Sequence, residues 1–188
     1  AVSLLPPHGA VPSTRSGRSE VLLFLAAYLV YVLARWLTVA DFPTADRNAQ
    51  AIIDLERQLG VAVERPVQEG LDGTPLMWAL SNVYLAAQLV VLPGALVWLH
   101  RRAPRIYRPL RDTVIATWML AIPIYALFPV APPRLAGAGL VDTVGAQAGV
   151  ALTGRSTMFF NPLAAVPSLH CGFAAAVGLA AALAVRGR

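Results

Sequence analysis

The chain has 188 residues, of which 57% are hydrophobic and 13% charged, and its mean hydropathy is +0.61. Soluble domains carry about 25% charged residues, so this composition excludes a soluble globular domain and describes an integral membrane protein. All 15 basic residues are Arg and the formal net charge is +5, but these Arg flank apolar runs, which assigns them to anionic lipid headgroups and not to nucleic acid.

Residues 1–19 (AVSLLPPHGAVPSTRSGRS) lack the apolar stretch of a signal peptide and are expected to form a mostly disordered tail. The transmembrane domain is then 20–188. A span needs about 20 apolar residues. Val21–Val39 fits, with Arg35 and Trp36 as interfacial anchors near its end. The segment 41–75 follows, and within it TADRNAQAIIDLERQLG reads as an amphipathic helix. Its Ala45, Ala49, Ile52, Ile53 and Leu59 fall near one face, which is expected to rest at the membrane interface or on other helices.

Leu76–Leu99 is the second span, with a kink expected at Pro93-Gly94. A basic loop follows, with Arg101, Arg102, Arg105, Arg108 and Arg111. Thr113–Val130 is the third span; it contains Pro123 and ends abruptly at FPVAPPRL. A Gly-rich loop leads to NPLAAVPSLHCGF and a fourth apolar run from Leu163 to Val185. The fold class is therefore all-α, a polytopic transmembrane helix bundle with four spans.

Charge sets its orientation. Arg15 and Arg18 precede the first run, five Arg lie between the second and third, and Arg186 and Arg188 follow the fourth. The 41–75 segment holds seven acids against three Arg, and the 131–162 segment has only Arg134, Arg155 and Asp142. By the positive-inside rule the N-terminus is cytoplasmic and the low-Arg segments are extracytoplasmic. The expected location is a bacterial cell membrane, with the Pro-Ser-Leu-His stretch outside.

The third run's exit and the fourth run's entry share that outer surface, so Arg134, Ser168 and His170 can converge. Arg carries donors that match phosphate oxygens. Pro167 suits a first helical turn, where Ser168 and free N–H groups bind an anion. His170 exchanges a proton near neutral pH. Blander roles exist for each: Arg134 as a headgroup anchor, Ser168 as a helix cap, His170 as a packing residue. Cys171, the single cysteine, reads as a small apolar filler, and Arg155 as a solvated charge. His8 and His100 fall outside the constellation. A transporter is disfavoured, because Arg35 and Asp112 sit near the ends of runs and no inverted repeat is evident.

FPVAPPRL followed by NPLAAVPSLHCGFA resembles the first two signature motifs of the type 2 phosphatidic acid phosphatase superfamily. With the upstream NAQAIIDLERQLGVAVERPVQ, it resembles more narrowly the inositol phosphorylceramide synthase-like branch. The resemblance implies a bundle of about six helices and phosphoryl transfer through a phosphohistidine, without a cofactor or an obligatory metal. It implies that Arg134 binds phosphate, Ser168 hydrogen-bonds a phosphate oxygen and His170 protonates the leaving alcohol. The partners implied are a lipid phosphate or phospholipid, and an alcohol acceptor such as inositol or a sugar where the reaction is transfer.

Two departures stand out. Leu127 occupies the position of the first motif's usual Lys, seven residues before Arg134. The third motif should bring a further Arg, a nucleophilic His and its Asp, yet no His follows His170 in this sequence. The expectation is a chain that continues beyond Arg188. The alternative is a non-catalytic protein that binds lipid phosphate without the nucleophile.

Overall fold

A computed structural model of the chain describes residues 16–37, 41–147 and 163–186. Residues 1–15 of the expected tail (1–19), the side chains of Arg35 and Trp36, and Arg155 lie outside the described residues, whereas Gly17–Ser19, expected in that tail, open the first helix. The described residues are helical and contain no strand. The helices are α1 Gly17–Leu37, α2 Phe42–Leu59, α3 Glu64–Leu71, α4 Pro75–Ala86, α5 Leu92–Arg102, α6 Pro104–Leu127, α7 Thr143–Gln147 and α8 Leu169–Arg186. A π-helical turn, Ala87–Val91, joins α4 to α5.

Among the described residues, four helical stretches are long and apolar enough to cross a membrane: Gly17–Ala34, Pro75–Arg102, Pro104–Leu127 and Leu169–Arg186. Their outward faces carry large exposed apolar side chains, among them Leu22, Leu29, Val90 and Leu120. A continuous apolar surface of this kind suits lipid and not water. The core lies between α5, α6 and α8, where Leu92, Leu99, Tyr107, Leu110, Val114, Phe173, Ala180 and Ala184 are buried together. Trp118 of α6 fastens α1 and α8 to this core, edge-on to Phe24 at 6.3 Å and to Phe173 at 5.9 Å between ring centroids.

Several boundaries differ from the sequence reading. The basic stretch expected as a loop is helical: only Ala103 separates α5 from α6, and Arg105, Arg108 and Arg111 occupy the first turns of α6. Pro104 opens that helix in the position where its missing N–H costs nothing. The kink expected at Pro93-Gly94 is realised as the π turn just before it. Pro93 has no N–H to offer and its ring crowds the carbonyl of Leu89, so the regular ladder cannot run through this stretch. The fourth helix starts at Leu169, leaving Leu163–Ser168 outside it.

Helix α2 matches its sequence pattern closely. Asp41 caps its start, accepting hydrogen bonds from Thr44 N at 3.1 Å and Thr44 Oγ1 at 3.0 Å, and these hold its carboxyl below the usual carboxylate range. Gly60, at φ 67°, ends it in the left-handed conformation that glycine adopts without a side-chain penalty. Ala45, Ala49 and Ile53 are buried and Ile52 partly so, whereas Leu59 is 66% exposed and is not part of the packed face. That face packs on Val130, Ala131 and Ala136, the segment that leaves α6. The small side chains at 45 and 49 let the helix backbone approach closely enough for Ala131 N to donate to Ala45 O at 3.0 Å.

Candidate functional site

The two motif segments meet side by side at the end of the bundle away from the Arg-rich turn. Val130 N donates to Leu163 O at 3.0 Å and Ala165 N donates to Val130 O at 3.1 Å, a short parallel pairing of Val130 with Ala164. Three side chains hold the pair in place. Asn48 of α2 donates to Pro129 O at 2.8 Å, Gln50 of α2 donates to Ala136 O, and the buried Tyr125 of α6 donates to Pro167 O at 2.7 Å. These groups satisfy carbonyls that irregular backbone would otherwise leave unpaired. Arg134 lies four residues past Val130, and Ser168 three past Ala165, so this pairing fixes the approach of both motifs.

Ser168 caps α8. Its Oγ accepts from Cys171 N at 3.3 Å and its carbonyl accepts from Gly172 N at 3.1 Å. Pro167 therefore sits before the cap and not in the first turn, where its residue type alone would place it. The capping role and the phosphate role are compatible, since the cap uses an oxygen lone pair and leaves the hydroxyl proton to donate. Cys171 is exposed, so it is not the apolar filler expected.

His170, partly buried on the first turn of α8, meets Tyr84 of α4. The rings stack with centroids 4.1 Å apart and planes 14° from parallel, and Tyr84 Oη lies 3.1 Å from Nδ1 of His170. Tyr84 is absent from the sequence-based site because a Tyr inside an apolar span has the look of packing. A usable signal was the Pro93-Gly94 break soon after it, since helix irregularities of this kind gather at functional sites.

Arg134 is 30% exposed and faces Asp142, also 30% exposed, with Nε 3.6 Å from Oδ2. That separation is longer than a hydrogen bond, so the pair is electrostatic and loose. Asp142 also accepts from Gly145 N at 3.0 Å at the start of α7. Gln68 of α3 pins the adjacent Val141 through both of its backbone groups, at 3.0 and 2.8 Å. Tyr84, through its stack on His170, stands beside the second motif. The structure thus gathers Arg134, Ser168 and His170 at one end of the bundle and adds Tyr84 and Asp142 to them.

A cavity of about 470 Å³ opens beside this region, lined by Ile52, Ile53, Pro66, Val130, Pro133 and Val166 among others. It lies against the backbone of both motifs, and neither Arg134 nor His170 lines it. Among the described residues, no group of three or more His, Cys, Asp or Glu side chains is arranged to hold a metal ion.

The opposite end carries a second polar group that the sequence pattern does not single out. Glu20, 4% exposed, accepts from Tyr107 Oη at 2.9 Å and from Arg111 Nη1 at 2.9 Å, and Arg111 also pairs with Asp112 at 2.8 Å. His100 lies edge-on to Tyr107 with centroids 4.9 Å apart, so it belongs to this end and not to the end that carries Arg134 and His170.

Fold and site together define a helical membrane protein with basic, hydroxyl and imidazole side chains collected at one end. A sequence profile of the PAP2 superfamily matches residues 50–188, and the chain belongs to that superfamily. Its members are generally phosphatases that act on lipid phosphates. No curated protein and no solved structure matches the chain significantly.

Proposed function

We propose that this protein is a lipid phosphatase or headgroup phosphotransferase whose site opens on the extracytoplasmic face of the cell membrane. The observation that carries the reading is the pairing of Val130 with Leu163–Ala165, because it brings the two superfamily motifs to one place. The orientation is supported by the Arg-rich turn at Arg101–Arg111 and by the scarcity of Arg around the motifs.

In this reading Arg134 binds the phosphate through charge-assisted hydrogen bonds and exchanges its loose contact with Asp142 for the substrate. Ser168 donates its free hydroxyl proton to a phosphate oxygen. The step this requires is attack on phosphorus by a nucleophilic His, as the superfamily resemblance implies. As the P–O bond to the lipid alcohol breaks, the Nε2 or Nδ1 proton of His170 passes to the departing oxygen. Water then cleaves the phosphohistidine to release phosphate, or an alcohol such as inositol takes the phosphoryl-linked group. The narrower inositol phosphorylceramide synthase-like assignment rests on the NAQAIIDLERQLG stretch, which forms α2 and braces both motifs.

The test uses the complete gene product in detergent micelles. Phosphate release from dioctanoyl phosphatidic acid, and transfer to inositol from a phospholipid donor, should both be measured. Turnover that depends on His170 supports the reading. Tight binding of short-chain phosphatidic acid with no turnover of any donor would replace it with the non-catalytic alternative.

A further inference from the structure

We propose that Tyr84 is a positioning residue for His170, holding the imidazole in place from a neighbouring transmembrane helix. The proposal rests on the reading of Arg134, Ser168 and His170 as a phosphate site and deepens it.

Four observations converge on this role. The Tyr84 and His170 rings are stacked at 4.1 Å, within 14° of parallel. The phenol oxygen is 3.1 Å from Nδ1. With rings this close to parallel, that oxygen approaches Nδ1 from the face of the imidazole. The stack therefore carries the orientation, and the in-plane directions of the ring nitrogens stay open to a substrate. The π turn Ala87–Val91 begins one helical turn after Tyr84 and packs on α8, so the irregularity lies where α4 meets the helix bearing His170. Finally, His170 lies two residues past Ser168, the cap of α8, so holding its ring holds it at the end of the helix where both motif segments meet.

The physical need is plain. His170 sits on the first turn of α8 with χ rotations available to it, and among the described residues Tyr84 makes its side-chain hydrogen bond and its ring stack. Of the two contacts it is the stack that orients the ring, since a ring nitrogen's hydrogen bond lies in the ring plane. A proton donor must meet the leaving oxygen within hydrogen-bond reach at the moment of bond cleavage. A misplacement of about 1 Å can cost about 100-fold in rate. A flat ring against the imidazole face removes the rotations that would cause it.

The experiment compares Tyr84→Ala, Tyr84→Phe and His170→Ala in the complete protein, with dioctanoyl phosphatidic acid as the probe. Tyr84→Ala should lower kcat about 10- to 100-fold with KM within about twofold of wild type. Tyr84→Phe keeps the ring and should restore most of the lost kcat. In protein labelled at histidine Cε1, the His170 resonance should move in Tyr84→Ala, where the ring current is lost, and stay near its wild-type position in Tyr84→Phe. Where Tyr84→Ala does not fold, Tyr84→Leu serves, since it keeps apolar volume without an aromatic face. A wild-type kcat in Tyr84→Ala beside an inactive His170→Ala overturns the positioning role alone. An unmoved His170 resonance overturns it as well. Full turnover in His170→Ala instead brings down the site reading, and the Tyr84 proposal with it.

Discussion

The two ends of the bundle use the same side chain, arginine, in opposite ways. The Arg111 side chain is 16% exposed and doubly paired: the buried Glu20 meets one arm at 2.9 Å and Asp112 another at 2.8 Å. Arg134 is 30% exposed and faces one carboxylate at 3.6 Å, which has a second duty at the start of α7. The first arrangement fastens α1 to α6 and sets two carboxylates against one cation. The second leaves a cation that, among the described residues, is held by one loose ion pair, and this is the cation the proposed function gives to phosphate. The comparison teaches that the same residue type can be tightly or loosely paired, according to what packs around it.

Substitutions can break this contrast or sharpen it. The largest expected effect is at His170: His170→Ala should cut turnover by about 100- to 10,000-fold, the range for a positioned proton donor. Its thermal midpoint should hardly change, because the residue is only partly buried. A variant that retains turnover would remove the functional half of the comparison. Next comes Glu20→Gln, which leaves Arg111 short of a buried partner. It should cost about 3 kcal/mol of stability, the low end for breaking a buried pair, since Asp112 still holds the cation. Thermal unfolding in detergent reads this directly, and KM should be unaltered.

Arg134→Ala should do the reverse. It should weaken inhibition by vanadate about 10- to 100-fold, the value of one or two charge-assisted hydrogen bonds, while stability changes little. Equal vanadate sensitivity in the variant would show that Arg134 serves structure alone, like Arg111. The smallest effect belongs to Asp142→Asn. Removing the loose counter-charge of Arg134 should tighten vanadate binding by about two- to fivefold, in line with half-exposed ion pairs. Weaker binding would instead make Asp142 a residue that orients Arg134 for its ligand.

Much of this molecule is legible in its amino-acid order. Composition alone fixes the membrane class, and the apolar runs locate the four spans to within a few residues, apart from the early start of α6 and the late start of α8. The face of α2 can be read from its 3.6-residue period as far as Ile53. Its last turn cannot: Leu59 continues the pattern but extends past the segment that the helix packs against. Arg134, Ser168 and His170 are legible because polar residues at span ends are few and each has a distinct chemistry.

What the sequence by itself determined is therefore the list of spans, the polar residues at their ends and the superfamily the chain belongs to. Only the tertiary structure decided which residues support the motifs: the Val130–Ala164 pairing, Asn48, Gln50 and Tyr125 on backbone carbonyls, and Tyr84 on His170. The reason is physical. Hydropathy and periodicity report how one segment meets its solvent, and that information is local. The hydrogen bonds and ring contacts that hold the motifs join residues 33 to 86 positions apart. Their partners are ordinary Tyr, Asn and Gln side chains, whose role exists only once the helices have packed.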